Sequence, residues 1–188
     1  MARPYRLKSE HCFYHISSRG NDRKRVFVRD GDYEKFLDYI VTAKARFGFD
    51  LYAYCLMSNH YHLLVETIKP NISRIMQYIN GSYTIYHNMK YRRCGHLFQG
   101  RFKSIVVEKN NYFLELSRHL HLNPVRAGIV ESPEQYRWSS YSGYVGGKNK
   151  YLDFKLIRQC LGMDPRQYRE FVEDRIGQGK NPFKDIYA

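Results

Sequence analysis

Apolar positions along this chain recur with two different periods. Residues 12–17 (Cys-Phe-Tyr-His-Ile-Ser) form an aromatic and β-branched run that reads as a strand, and a polar, basic loop follows from Ser18 through Arg25. Over residues 32–47 the period turns helical. Tyr33, Phe36, Leu37, Ile40, Ala43 and Phe47 line one face, and Gly48 stops it. Residues 50–57 and 60–67 read as two strands joined by a tight Ser58-Asn59 turn. A second amphipathic helix opens at Pro70-Asn71, with Ile72, Ile75, Met76, Ile79, Tyr83 and Tyr86 on one stripe. Residues 102–108 give a fourth strand. Asn110 or Asn111 caps a further helix. That helix should end near Leu122, because a residue before proline, here Asn123, avoids the α region.

Strand, helix, strand, strand, helix, strand is the ferredoxin-like β-α-β-β-α-β order of an α+β protein. It predicts an antiparallel sheet with helices on one face and the other face open to a site, with the additional helix near that face or its edge. Beyond about residue 130 the texture changes to Tyr and Ser around the only tryptophan, Trp138. Residues 146–150 read as a linker. Two short helices then follow, over residues 153–161 and 164–176, the second opened by Asp164-Pro165. The expected division is a main domain over 1–145 and a small helical C-terminal extension over 146–188.

Charge narrows the function classes. The 188 residues hold 31 Lys+Arg against 18 Asp+Glu, a formal net charge of +13, together with 18 tyrosines. Cations for phosphates and flat rings for unstacked bases are what single-stranded nucleic acid requires. No apolar run nears the roughly 20 residues of a membrane span, and the N-terminus lacks the apolar core of a signal peptide. Cys12, Cys55, Cys94 and Cys160 are dispersed with no CxxC pair, which argues against a zinc ribbon or a disulfide framework. The expectation is a cytoplasmic protein with reduced thiols. No stretch matches the basic-Gly-aromatic pattern of an RNA-recognition strand.

Candidate chemistry sits in three places. In a strand, His60 and His62 leave the same face, while Tyr61, Leu63 and Val65 point to the other. Two neutral imidazoles so placed form a metal site awaiting a third ligand, or else two surface histidines. On the helix before Pro124, His119 and Asn123 share a face at i, i+4 and His121 points away. Cations cluster in loops: Arg19, Arg23, Lys24 and Arg25; Arg92 and Arg93; Arg101 and Lys103; and Arg126. Any one run fits a solvated face, but several around one sheet suggest a phosphate-binding rim.

Five linked blocks carry a resemblance. They are Tyr14-His15-Ile16 with Arg19-Gly20-Asn21; residues 56–64 around His60-Tyr61-His62; residues 95–104 around Phe98-Gln99-Gly100-Arg101; residues 121–128 around Asn123-Pro124-Val125-Arg126; and Tyr136-Arg137-Trp138-Ser139-Ser140-Tyr141. Together, over roughly residues 10 to 145, the chain resembles the REP-associated tyrosine transposases, which are single-tyrosine HUH nucleases. The resemblance implies a ferredoxin-like fold and a bound Mg²⁺ or Mn²⁺. It implies cutting and rejoining of single-stranded DNA near hairpins through a covalent phosphotyrosine. The expected partner is hairpin-bearing single-stranded DNA, with no small-molecule cofactor, and the sequence leaves monomer and homodimer open. The metal-binding pair falls on His60 and His62, the polar ligand on Asn123, and the nucleophilic tyrosine on His119.

That last position departs from the family's pattern, since the block here reads Arg118-His119-Leu120-His121-Leu122-Asn123-Pro124. A phenol suits the role because it attacks as phenolate and later leaves again. Three readings stay open. The chain binds DNA and metal but has lost strand transfer; or His119 is itself a nucleophile or third metal ligand; or another tyrosine substitutes. Tyr112 lies seven residues earlier on about the same helix face, but about 10 Å away along the axis.

Overall fold

The first aromatic run becomes an inner strand of the sheet. In the computed structural model, which describes residues 10–107, 111–152 and 154–177, β1 (Cys12–Arg19) lies between β3 (His60–Thr67) and β4 (Lys103–Val107). β2 (Phe49–Met57) is the outer neighbour of β3, and every neighbouring pair is antiparallel. Helix α1 (Asp30–Phe47) joins β1 to β2, and α2 (Ile72–Tyr91) joins β3 to β4. The α+β, ferredoxin-like order expected from the periodicity is therefore present. Met57 pairs with His60 across the Ser58-Asn59 turn, as the spacing requires. The cap at Asn110, the strand end at Glu108, the helix start at Asp153 and the N-terminal segment 1–9 lie outside the described residues.

Period-two alternation sorts the sheet's side chains onto two cores. Tyr14, Ile16, Leu56, Tyr61, Leu63 and Val65 pack against Phe36, Leu37 and Ile40 of α1 and Ile75, Ile79 and Tyr83 of α2. The buried carboxylate of Asp32 ties the two helices. It accepts hydrogen bonds from the backbone of Val28 and Arg29 (2.9 Å each), from Lys90 Nζ (2.6 Å) and from Tyr91 Oη (2.6 Å). Burial raises its pKa, but these donors outweigh it and hold the carboxyl at about 2.

The other face is not open, and here the sequence-based expectation needs correction. Phe13, Cys55, Met57, Leu64 and Val107 make it apolar, and α3 (Asn111–Arg126) crosses it with Phe113, Leu116 and Leu120. A bulge between Leu51 and Ala53 puts both Tyr52 and Ala53 on this side. Short helices α4 (Tyr141–Tyr144), α5 (Phe154–Leu161) and α6 (Pro165–Glu173) complete this second core through Tyr141, Tyr144, Ile157, Tyr168 and Val172. Trp138 and Ser140 hydrogen-bond Leu56 and Tyr54, covering the outer edge of β2.

Helix α3 also departs from the sequence-based expectation and does not stop at Leu122. It passes through Pro124 to Arg126. Proline removes one donor only, the one that would reach the carbonyl four residues back, and the turn then closes on Gly128 at φ 65°. Among the described residues nine tyrosines are buried, so much of the tyrosine content is core. Among the described residues no helix is long and apolar enough to cross a membrane.

Candidate functional site

Register, rather than sequence proximity, assembles the site. β1 and β3 pair Ser17 with His62 and Arg19 with His60, so the histidines of β3 face α3 beside the odd-numbered residues of β1. His15 thereby joins them. Its Nε2 lies 3.1 Å from His62 Nδ1, with the rings 5.3 Å apart and nearly parallel at 16°. His60 stands edge-on to His62 at 5.1 Å, and its Nδ1 contacts Asn59 Oδ1 at 2.7 Å. A carbonyl oxygen only accepts, so the His60 proton is on Nδ1 and the lone pair on Nε2.

From the opposite side α3 contributes His119, which is 2% exposed. Arg126 Nη1 lies 2.7 Å from His119 Nδ1, and Asn123 Nδ2 donates to the His119 carbonyl at 3.1 Å. Burial lowers every imidazole here below the ordinary value of 6.5. His15 falls to about 3; His60 falls to about 4, helped by the charge of Arg19; and His119 falls to about 3, helped by Arg126 and His15. His62 is driven well below 6.5 by burial and then by His15, His60 and His119. All four are neutral at pH 7, which is the state a metal ligand needs.

The donor set fits a cation in part. His60 presents Nε2, and Asn123, whose Nδ2 is engaged, has its Oδ1 as acceptor. Among the described residues no three or more His, Cys, Asp and Glu side chains form a group able to hold a metal ion. A cation held by His60 and His62 would have to complete its shell with an amide such as Asn123, with water or with the substrate.

All nine cations read from the sequence are exposed: Arg19, Arg23, Lys24, Arg25, Arg92, Arg93, Arg101, Lys103 and Arg126. Backbone hydrogen bonds stitch their loops together. Gly20 N donates to Asn59 O, Asn21 N to Leu97 O and Gln99 N to Arg19 O, each at 2.8 Å. Arg19, Arg23, Lys24, Arg25, Arg101 and Lys103 thus share the His60 end of the sheet. Arg92 and Arg93 follow α2 to the same loops, through Asn88 Nδ2 on Gly95 O at 3.0 Å. Arg126 comes instead from α3 and is spent on His119. His121 points away, as its spacing predicts, and lies in the second core.

Sequence alone gives His15 no role. Its signal was a lone histidine inside an aromatic strand, with the parity of Ser17. Its partner His62 is 47 residues away, and only the β1–β3 register joins them.

A family profile described as IS200-like transposase matches residues 8–121. The chain belongs to the IS200-like transposase family. Membership places it among DNA-transposition proteins, with DNA as partner. No curated protein matches the chain. Among solved structures it is similar to a REP-associated tyrosine transposase bound to a REP hairpin. The TM-score is 0.69 at 16% identity, over 82% of this chain and 95% of that one, and the likeness shows the shared fold. A provisionally assigned transposase of Deinococcus radiodurans R1 matches with a TM-score of 0.43 at 18% identity, over 62% of this chain and 92% of that one.

Proposed function

We propose that this transposase-family chain binds hairpin-bearing single-stranded DNA at the cationic end of the sheet without forming a covalent protein–DNA link. The contact between Arg126 and His119 carries the reading. A guanidinium has donors only and stays charged, so His119 Nδ1 accepts and the proton of the neutral ring sits on Nε2. A nitrogen bearing its proton neither attacks phosphorus nor ligates a cation. His119 is instead a buried hydrogen-bond donor through Nε2. Six cations around His60 supply contacts to neighbouring phosphates, and the net charge of +13 supplies the attraction.

His60 and His62 would hold Mg²⁺ or Mn²⁺, with Asn123 as the amide donor. When bound, such a cation supplies Lewis-acid polarisation of a phosphate oxygen. Support for a DNA ligand comes from the family, and support for a hairpin from the REP hairpin held by the solved structure of the same fold.

The test uses a labelled single-stranded hairpin oligonucleotide with Mn²⁺. The wild type is expected to bind it without yielding a covalent adduct, and His119→Tyr to gain an adduct that His60→Ala abolishes. A covalent adduct formed by the wild type overturns the reading, and so does failure to bind the hairpin at low salt.

A further inference from the structure

We propose that His15 is a positioning residue that holds His62 in the tautomer able to bind a cation. The inference rests on the reading that His60 and His62 form the divalent-cation site. His15 and His62 are both buried, at 3% and 4% exposure, and meet through His15 Nε2 and His62 Nδ1 at 3.1 Å. Each neutral imidazole carries one N–H, and a single proton bridges this contact. If His15 Nε2 donates, His62 Nδ1 accepts and the His62 proton is on Nε2, where it blocks coordination. If His62 Nδ1 donates, its lone pair lies on Nε2.

Only the second arrangement makes the two β3 histidines alike. His60 already gives its Nδ1 proton to Asn59 Oδ1 and keeps its lone pair on Nε2. His15 therefore does for His62 what Asn59 does for His60: it accepts the proton of the nitrogen away from the cation. Metal-binding histidines commonly pass that proton to a carboxylate, a carbonyl or water, and losing the acceptor costs about 10- to 100-fold in metal affinity. Here the acceptor is an imidazole, which adds no negative charge. The strand pairing makes the contact obligatory. Ser17 sits directly opposite His62, so His15 is the diagonal neighbour on the same face, and a one-residue slip would turn it to the other core.

Mn²⁺ binding to the full chain, followed by the electron paramagnetic resonance of the free ion, separates this from its parent reading. The wild type should bind Mn²⁺ and His60→Ala should not. His15→Ala should bind about 10- to 100-fold more weakly. His15→Gln, whose carbonyl can accept the same proton, should recover most of the affinity. Long-range ¹H–¹⁵N spectra of the metal-free protein should show His62 protonated on Nδ1 in the wild type and redistributed toward Nε2 in His15→Ala. Wild-type Mn²⁺ binding unchanged in His15→Ala overturns the role of His15 and leaves the metal site standing. A wild-type His62 protonated on Nε2 overturns it whether or not Mn²⁺ binds. Absence of Mn²⁺ binding by the wild type sinks the parent reading.

Discussion

Two stretches of the face beneath α3 bury histidines in different ways. At the α6 end, His121 Nδ1 meets Tyr168 Oη at 2.8 Å and its Nε2 meets Ser140 Oγ at 2.7 Å, while Tyr141, Tyr144 and Tyr168 pack edge-on around it. Hydroxyls serve both nitrogens, so the ring works as a cross-link between α3, α6 and the edge of β2. At the loop end, the partners of His60, His62 and His119 are an amide, another imidazole and a guanidinium. The amide oxygen and the guanidinium are one-way partners that decide which nitrogen keeps its lone pair, and the two imidazoles share a single proton. Burial and a lowered pKa are common to both stretches, so neither marks a site. What differs is the bonding of the second nitrogen.

The largest expected effect tests the structural end. His121→Ala leaves a cavity and two buried hydroxyls short of a partner, and should destabilise the fold by about 3 kcal/mol. Urea denaturation measures this. A loss under 1 kcal/mol would mean that Tyr168 and Ser140 do not depend on the ring. Binding of a hairpin oligonucleotide, measured where the variant is still folded, should change little.

Next in size is pH. Burial lowers His121 from 6.5 to about 3. The unfolded chain therefore takes up a proton that the folded chain refuses, and stability falls as pH drops below 6.5. At pH 5 the loss from this one ring is about 2 kcal/mol. His121→Met removes the term. Its loss of stability between pH 7 and pH 5 should be smaller than the wild type's by about that amount, and identical losses would refute the assignment.

The smallest effect belongs to the loop end. Arg101→Ala removes one exposed cation and should weaken hairpin binding only a few-fold. The log–log salt slope should become shallower by about 0.7 if the side chain meets one phosphate of a single strand. An unchanged slope in salt-titrated binding would remove Arg101 from the rim.

Much of this contrast was legible in the sequence, because it is local. Parity placed His60 and His62 on one face, and helical spacing turned His119 and Asn123 away from His121. The hairpin followed from Ser58-Asn59 between two strand-like runs. What stayed hidden depends on contacts between distant segments. His15 needs the β1–β3 register, and the covering of the second face needs the docking of α3 to α6. The run past Pro124 misled for a different reason. The rule for residues before proline is a local preference, and here it is overridden within the last turn of a packed helix. The contact of Arg126 with His119 stayed hidden for the same reason, because a spacing of seven residues puts both on one face only if the helix runs on past Pro124.

The continuation of α3 past Pro124 has a mechanical consequence. His119 and the arginine that fixes its proton ride on one rod. A tilt or slide of α3 that brought His119 toward a bound strand would carry Arg126 with it and leave their contact intact. Separating them requires unwinding the final turn at Pro124, where one rung of the helix ladder is already missing. The proton on His119 is thus guarded by a helix end, and a rigid displacement of the helix does not release it.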